Sequence, residues 1–296
     1  MIILKNAEDM RSWSSSQRNN GFAIGFVPTM GALHEGHASL MRSSIADNNA
    51  SVLSIFVNPT QFAPHEDFEL YPRTFDDDCA MAENLGIDVL YAPTASEMYP
   101  INYSTYVNVG GVSEGLCSAS RPHFYRGVCT VVTKLFNAIM PHRAYFGQKD
   151  AQQTAVIRRM VRDLDMGIKI IEMPIIREVD GLAMSSRNKY LSVKNREKAL
   201  AISKALDYAS EMLTSGESDA STVISAVLGF LNNIKVDYVS LVDADTMHPV
   251  TKIEKSVVLA VAAYVGETRL IDNFKFDPKT LCEDSSVFPI LEKCDK

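Results

Sequence analysis

The chain has 296 residues, 46% hydrophobic and 22% charged, enough apolar sequence to build one large domain or two ordinary ones without staples. The 29 Lys and Arg against 36 Asp and Glu leave a net charge of −7. A polyanion such as DNA or tRNA is therefore a poor main partner, whereas local basic groups can still hold a small anion such as a nucleotide.

Residues 21–27 (GFAIGFV) form a short apolar run bounded by Pro28, the pattern of a buried strand. A helix is expected over 35–48, with Leu40, Met41 and Ile45 on one side, and a second buried strand over 51–57, stopped by Asn58-Pro59. The 74–85 segment opens on Asp76, Asp77 and Asp78, acids that suit the first turn of a helix. A strand over 87–91, a helix over 126–139, a strand over 143–146, a helix over 150–164 and a strand over 168–171 follow. Strands alternating with helices of this length imply parallel βαβ units and a doubly wound, Rossmann-like α/β sheet.

After Met173-Pro174 the pattern changes. Two helices (194–214 and 220–233) precede three strands (236–242, 257–265 and 268–274), which predicts a smaller α+β unit with antiparallel pairing. The expected domains are thus 1–175 and 176–296, with 282–296 as a surface tail.

Five cysteines (Cys79, Cys117, Cys129, Cys282 and Cys294) are odd in number and widely spaced, with no C-x-x-C pair. Neither a disulfide framework nor a cysteine zinc site is encoded. Residues 1–11 lack the apolar core of a secretory signal, and no stretch approaches the ~20 apolar residues that span a bilayer. The expected compartment is the reducing cytoplasm, with no membrane contact.

Neither G-x-x-x-x-G-K-[ST] nor a post-strand G-x-G-x-x-G occurs. The first strand instead feeds Pro28-Thr29-Met30-Gly31-Ala32-Leu33-His34-Glu35-Gly36-His37. A strand end entering a helix N-terminus is an anion site in α/β sheets. His34 and His37, three apart, lie about 60° apart around a helix and could both reach one phosphate chain. From spacing alone, two exposed polar residues at a helix start fit equally well, and H-E-G-H is one residue short of a zinc H-E-x-x-H. Phe146-Gly147-Gln148-Lys149-Asp150 is a second strand-to-helix junction, where Lys149 could neutralise phosphate and Asp150 could cap the helix or accept a ribose hydroxyl. Met184-Ser185-Ser186-Arg187 could clamp phosphate from a loop, although alone it reads as an ordinary turn. Asp76 to Asp78 could hold Mg²⁺ through water, with solvated helix-cap acids as the simpler reading.

Together, an H-x-G-H loop after the first strand and a much later S-S-R loop resemble the HIGH and KMSKS pair of the nucleotidylyltransferase superfamily. The strings PTMGALHEGHASL, SIFVNPTQF, YPRTFDDD, RGVCTVVTKLFN, YFGQKDAQQ and MSSRNKYLS resemble the pantothenate synthetase family in order and spacing, over about residues 20–275. The resemblance implies a cytoplasmic, homodimeric ligase of the route to coenzyme A that joins pantoate to β-alanine through pantoyl adenylate, releasing AMP and diphosphate. It implies ATP as substrate, with Mg²⁺. It assigns Met30, Gly31, Ala32, Leu33, His34, Glu35, Gly36 and His37 to the ATP site, with His37 as proton donor and His34 on the phosphates. Gly147, Gln148, Lys149, Asp150, Ile176, Met184, Ser185, Ser186 and Arg187 complete that site. His37, His34, Lys149 and Arg187 form the implied catalytic set. Gln61 and Gln153 would hold pantoate, with Gln61 also near β-alanine. Asn58, Tyr71, Asp77 and Asp78 match positions near substrate and Mg²⁺, the last two as metal ligands.

The sequence departs from the family pattern R-P-G-H-F-R-G-V at Arg121-Pro122-His123-Phe124-Tyr125-Arg126-Gly127-Val128, where Phe124 occupies the expected histidine position. Gln148 stands where Glu is common and Met184 where Leu is. Two other readings remain open at this level: a transferase forming a nucleotide product, and a nucleotide sensor without turnover.

Overall fold

The computed structural model describes residues 1–63 and 66–279, so the tail expected over 282–296 lies outside the described residues. Strand and helix alternate in the order β1 (Ile2–Leu4), α1 (Ala7–Asn19), β2 (Ile24–Thr29), α2 (Glu35–Asp47), β3 (Ala50–Ile55), α3 (Phe75–Leu85) and β4 (Val89–Tyr91). Two single turns, α4 (Ala95–Met98) and α5 (Cys117–Ser120), lead to α6 (Phe124–Ile139), β5 (Arg143–Gly147), α7 (Ala151–Asp163) and β6 (Lys169–Met173).

These six strands make one wholly parallel sheet in the order β1-β4-β3-β2-β5-β6. Its middle strands are apolar on both faces because both are covered. Met10 of α1, with α6 and α7, packs on one face; α2 and α3 pack on the other. The doubly wound arrangement expected from the sequence is what forms.

Winding reverses between β2 and β5, and there the sheet opens. β2 pairs with β5 only at Gly25–Arg143 and Phe26–Ala144, whereas its pairing with β3 continues to Thr29–Ile55. Pro28, expected to end the strand, lies inside it. It has no N–H to donate, and it stands beyond the last residue that β5 accompanies. The parting of two strands at a topological switch point is the ligand crevice of such sheets.

Helices α8 (Val193–Thr214) and α9 (Ala220–Phe230) precede β7 (Lys235–Asp243), β8 (Val257–Val265) and β9 (Thr268–Phe276), an antiparallel sheet in the order β7-β8-β9. One face packs against α8 and α9. The other sends Tyr238, Val242, Val258 and Ala260 into the core shared with α6 and α7. The small sheet thus closes one wall of the crevice.

β1 and α1 are additions to the sequence reading. Three edge residues are too few for a period, and α1 buries only Met10 and Ser14 fully, so it reads as polar. The early acids Glu8 and Asp9 are its first turn, capped by Asn6, whose side chain accepts from the Asp9 N–H at 2.8 Å.

Candidate active site

A cavity of about 300 Å³ occupies the switch-point crevice. Its floor carries Met30, His34, Gly36 and His37 from the end of β2 and the start of α2, and Gly147, Lys149 and Asp150 from the end of β5. Gln61 and Gln153 line it, and Ile176 with Met184, Ser185, Ser186 and Arg187 covers it. Segments distant in sequence therefore meet around one space. Lys149 is at the site because the two loops flank the same strand gap.

The β2–α2 loop is fixed by an internal clamp. Asp78 of α3 is buried, and its carboxylate accepts from the N–H groups of Ala32 (2.9 Å) and Leu33 (2.8 Å) and from the Thr74 hydroxyl (3.2 Å). Gly31 has φ +82°, and a Cβ there would meet the Asp78 carboxylate at 2.9 Å, so glycine is required twice over. Gly31, Ala32 and Leu33 consequently support the loop from behind without lining the cavity. Glu35 points outward into an ion pair with Arg42.

His34 is the N-cap of α2 and its Nδ1 accepts from the Gly36 N–H at 3.2 Å. The Nδ1 of His37 accepts from the His34 N–H at 3.3 Å. The rings lie 4.1 Å apart, centroid to centroid. With both Nδ1 atoms used as acceptors, the ring protons reside on Nε2. Burial, with the Lys149 charge adding, lowers the His34 pKa to about 4. Burial, then His34 and Lys149, lowers that of His37 to about 3. Both rings are neutral hydrogen-bond donors near pH 7. His37, the expected proton donor, thus meets the cavity as a neutral ring with its proton on Nε2.

On the pantoate side of the assignment, Asn58 is buried and held by three donors to its Oδ1: Tyr99 OH (2.7 Å), the Thr60 hydroxyl (2.9 Å) and the Thr60 N–H (3.3 Å). Its Nδ2 donates to Oε1 of Gln61 at 3.0 Å. Gln61 is thereby oriented with its amide N–H groups outward, one meeting only the weak acceptor Sδ of Met30 at 3.2 Å. Gln152 and Gln153 divide the work of adjacent positions. Gln152 is buried, accepting from the Cys117 N–H and Tyr125 OH and donating to Val112, Glu114 and Gly115 carbonyls. Gln153 faces the cavity and has no hydrogen-bond partner among the described residues.

The covering loop is a short hairpin. The Met184 N–H donates to the Ile176 carbonyl at 2.9 Å, and Ser185 caps the 3-10 turn Ser186–Tyr190 by accepting from the Arg187 N–H. Tyr71 OH lies 3.4 Å from the Ser186 hydroxyl. Arg187 makes a two-pronged ion pair with Asp67.

Besides Gly31, Ala32, Leu33 and Glu35, two further groups of expected site residues do not meet the cavity. The Gln148 side chain turns to Asn273 of β9, whose Nδ2 donates to the Gln148 and Lys149 carbonyls at 2.9 Å each. Asp77 is exposed on α3, and both oxygens of Asp78 are committed to the loop clamp, so this pair does not fit a Mg²⁺ site. No cluster of three or more His, Cys, Asp or Glu able to hold a metal occurs among the described residues. Conversely, Arg121, Tyr238, Arg269, Asp272 and Asn273 line the cavity without having been assigned from sequence. The available signal was the charged or amide residues Arg269, Asp272 and Asn273 set among Leu270, Ile271 and Phe274 in the strand 268–274. Buried charge in a strand needs a partner, and Asp272 has one in Arg177 at 2.7 Å.

Against known proteins, residues 2–275 match the Pantoate-beta-alanine ligase family. Pantothenate synthetase of Thermotoga neapolitana is 52% identical over 276 residues, 92% of this chain and 99% of the relative. That of Acetivibrio thermocellus is 52% identical over 276 residues, 92% and 98%. Among solved structures, pantothenate synthetase from Thermus thermophilus aligns with TM-score 0.87 at 39% identity, covering 93% of this chain and 99% of that one. Pantoate-beta-alanine ligase from Francisella tularensis, complexed with beta-gamma ATP and β-alanine, aligns with TM-score 0.76 at 33% identity, covering 94% and 98%. The chain belongs to the pantoate–β-alanine ligase family.

Proposed function

We infer that this chain joins pantoate to β-alanine in an ATP-dependent ligation that proceeds through pantoyl adenylate. The observation that carries the reading is the convergence of the β2–α2 loop, the β5–α7 loop and the 184–187 loop on one cavity at the switch point. A nucleotide-product transferase and a turnover-free sensor lose ground to family membership along nearly the whole chain.

In the first step a pantoate carboxylate oxygen attacks the α-phosphorus of ATP, the α–β bridging P–O bond breaks, and diphosphate leaves with the electron pair. In the second, the β-alanine amine attacks the acyl carbon, AMP departs, and the amine loses a proton. No enzyme nucleophile is needed. The first transition state spreads negative charge along the phosphates, and fixed donors already aimed there stabilise it without rearrangement. His34 and His37 supply neutral Nε2–H groups, Lys149 a fixed cation, and Ser185, Ser186 and Arg187 donors from the covering loop. Met30, Gly36, Gly147, Asp150, Ile176 and Met184 shape the nucleotide pocket. Gln61 presents N–H groups suited to the pantoate carboxylate and lies within reach of β-alanine. Gln153, with both its donor and acceptor unused, suits the pantoate hydroxyls.

Mg²⁺ belongs to the same proposal as a companion of ATP, where it would offset phosphate charge. The Asp77–Asp78 pair is not its site, and no step is assigned to it. A division of labour near residue 175, with the C-terminal part closing over bound reactants, and a homodimeric assembly complete the reading. No helix among the described residues is long and apolar enough to cross a membrane. The free thiols of Cys79, Cys117 and Cys129 suit a reducing cytoplasm. The test is product stoichiometry: pantoate, β-alanine and ATP should yield pantothenate, AMP and diphosphate in equal amounts, with ADP absent. Formation of ADP, or of a nucleotide-linked product, would refute it.

A further inference from the structure

We propose that Asp67 is a positioning residue for the adenylation step, acting through Arg187. The inference rests on the reading that Arg187 meets the phosphates of ATP.

Asp67 Oδ2 accepts from Nε of Arg187 at 3.0 Å and Oδ1 accepts from Nη2 at 2.9 Å. This side-on fork uses two of the five guanidinium N–H groups and leaves the Nη1 pair and one on Nη2. Arg187 lines the cavity, so the face left over is the one available to a phosphate. Without the fork, a long, flexible side chain would have to be ordered at the moment the triphosphate binds. With it, the ordering is done beforehand, which is the basis of preorganised charge stabilisation.

The loop that carries Asp67 is anchored independently. Glu66, the preceding residue, makes its own two-pronged pair with Arg121, another cavity residue. Arg121 in turn donates from Nη2 to the Gln61 carbonyl at 3.0 Å and lies 3.9 Å over the Phe124 ring. Tyr190 OH donates to the Leu70 carbonyl at 3.2 Å, and Tyr71 meets Ser186. Two adjacent acids thus hold two arginines that line the cavity from segments far apart in sequence, residues 121 and 187. A partly exposed ion pair contributes little to stability by itself; its place on the cavity wall gives it a use in orientation.

The experiment is a double-mutant cycle on single-turnover pantoyl-adenylate formation, with D67A, R187A and the double variant. D67A should slow adenylation by ~10-fold in the native background and by less than ~2-fold in the R187A background, because it acts only through that side chain. D67E should recover part of the rate, the second half-reaction with β-alanine should be unchanged, and the melting temperature should hold. If D67A folds poorly, D67N, with nearly the same volume, is measured in its place. A D67A or D67N rate equal to native, or an equal loss in both backgrounds, would overturn the proposal. A native adenylation rate in R187A would instead remove the role assigned to Arg187, and that of Asp67 with it.

Discussion

The backbone N–H of His34 donates to Nδ1 of His37 across 3.3 Å, which ties the ring that faces the cavity to the first turn of the helix that carries it. One contact therefore fixes tautomer and orientation together, and it defines His37 as a donor at Nε2. Replacement by alanine should leave ATP binding nearly intact and slow adenylation by ~10² or more, the usual scale for one transition-state donor. Single-turnover adenylate formation, monitored beside ATP affinity, checks this.

The neutral histidines also predict a pH dependence. Both folded pKa values, about 4 and about 3, lie below the 6.5 of an unperturbed histidine, chiefly through burial. The unfolded chain therefore binds protons first as pH falls, and stability present above pH 6.5 is lost through pH 4 and below. H37Q should flatten that acid loss in urea titrations at pH 7, 5.5 and 4.5. The rate of adenylation should show no limb at pH 6.5 belonging to these two rings.

Asp78 separates a clamp from a metal ligand. D78A would leave the buried N–H groups of Ala32 and Leu33 without an acceptor, at about 1–3 kcal/mol each. Stability and adenylation should fall together, while the Mg²⁺ concentration for half-maximal rate stays put. A large rise in that concentration, with stability unchanged, would restore the metal reading.

Much of this was legible in the sequence, and particular residues show where legibility ended. β2 and β3 are runs of apolar residues, so their burial and the parallel sheet could be read directly, and the two strand-end loops followed. The Asp78 clamp could not be read, because a DDD run at a helix start looks solvated until α3 packs beneath the β2–α2 loop. Nor could Asn273, 124 residues from Lys149: strand pairing in the small sheet and its docking on the turn after β5 are both non-local. Phe124, in place of the family histidine, becomes intelligible only with Arg121 stacked on it.

Asn273 yields a prediction of its own. Its Nδ2 holds the carbonyls of Gln148 and Lys149, so the small sheet fixes the loop that presents the Lys149 cation. N273A should raise KM for ATP several-fold more than KM for β-alanine, and steady-state titration of each substrate would show it.

Gln153 tests the pantoate side. Its side chain has no internal partner among the described residues, so Q153A should not lower the melting temperature. Loss of its contacts to a buried hydroxyl or carboxylate, at about 1–3 kcal/mol, should raise KM for pantoate roughly 5- to 150-fold with KM for ATP little changed. Equal increases for both substrates would contradict the assignment.

The central claim is that one cavity at the β2–β5 switch point activates a carboxylate with ATP before the amine is required. It is tested most directly by isotope exchange. Labelled diphosphate should enter ATP when pantoate and Mg²⁺ are present and β-alanine is absent, because the first half-reaction is then complete and reversible. Subsequent β-alanine should discharge the bound adenylate to pantothenate and AMP. Folded protein that shows no pantoate-dependent exchange, or exchange only once β-alanine is added, would contradict the stepwise account.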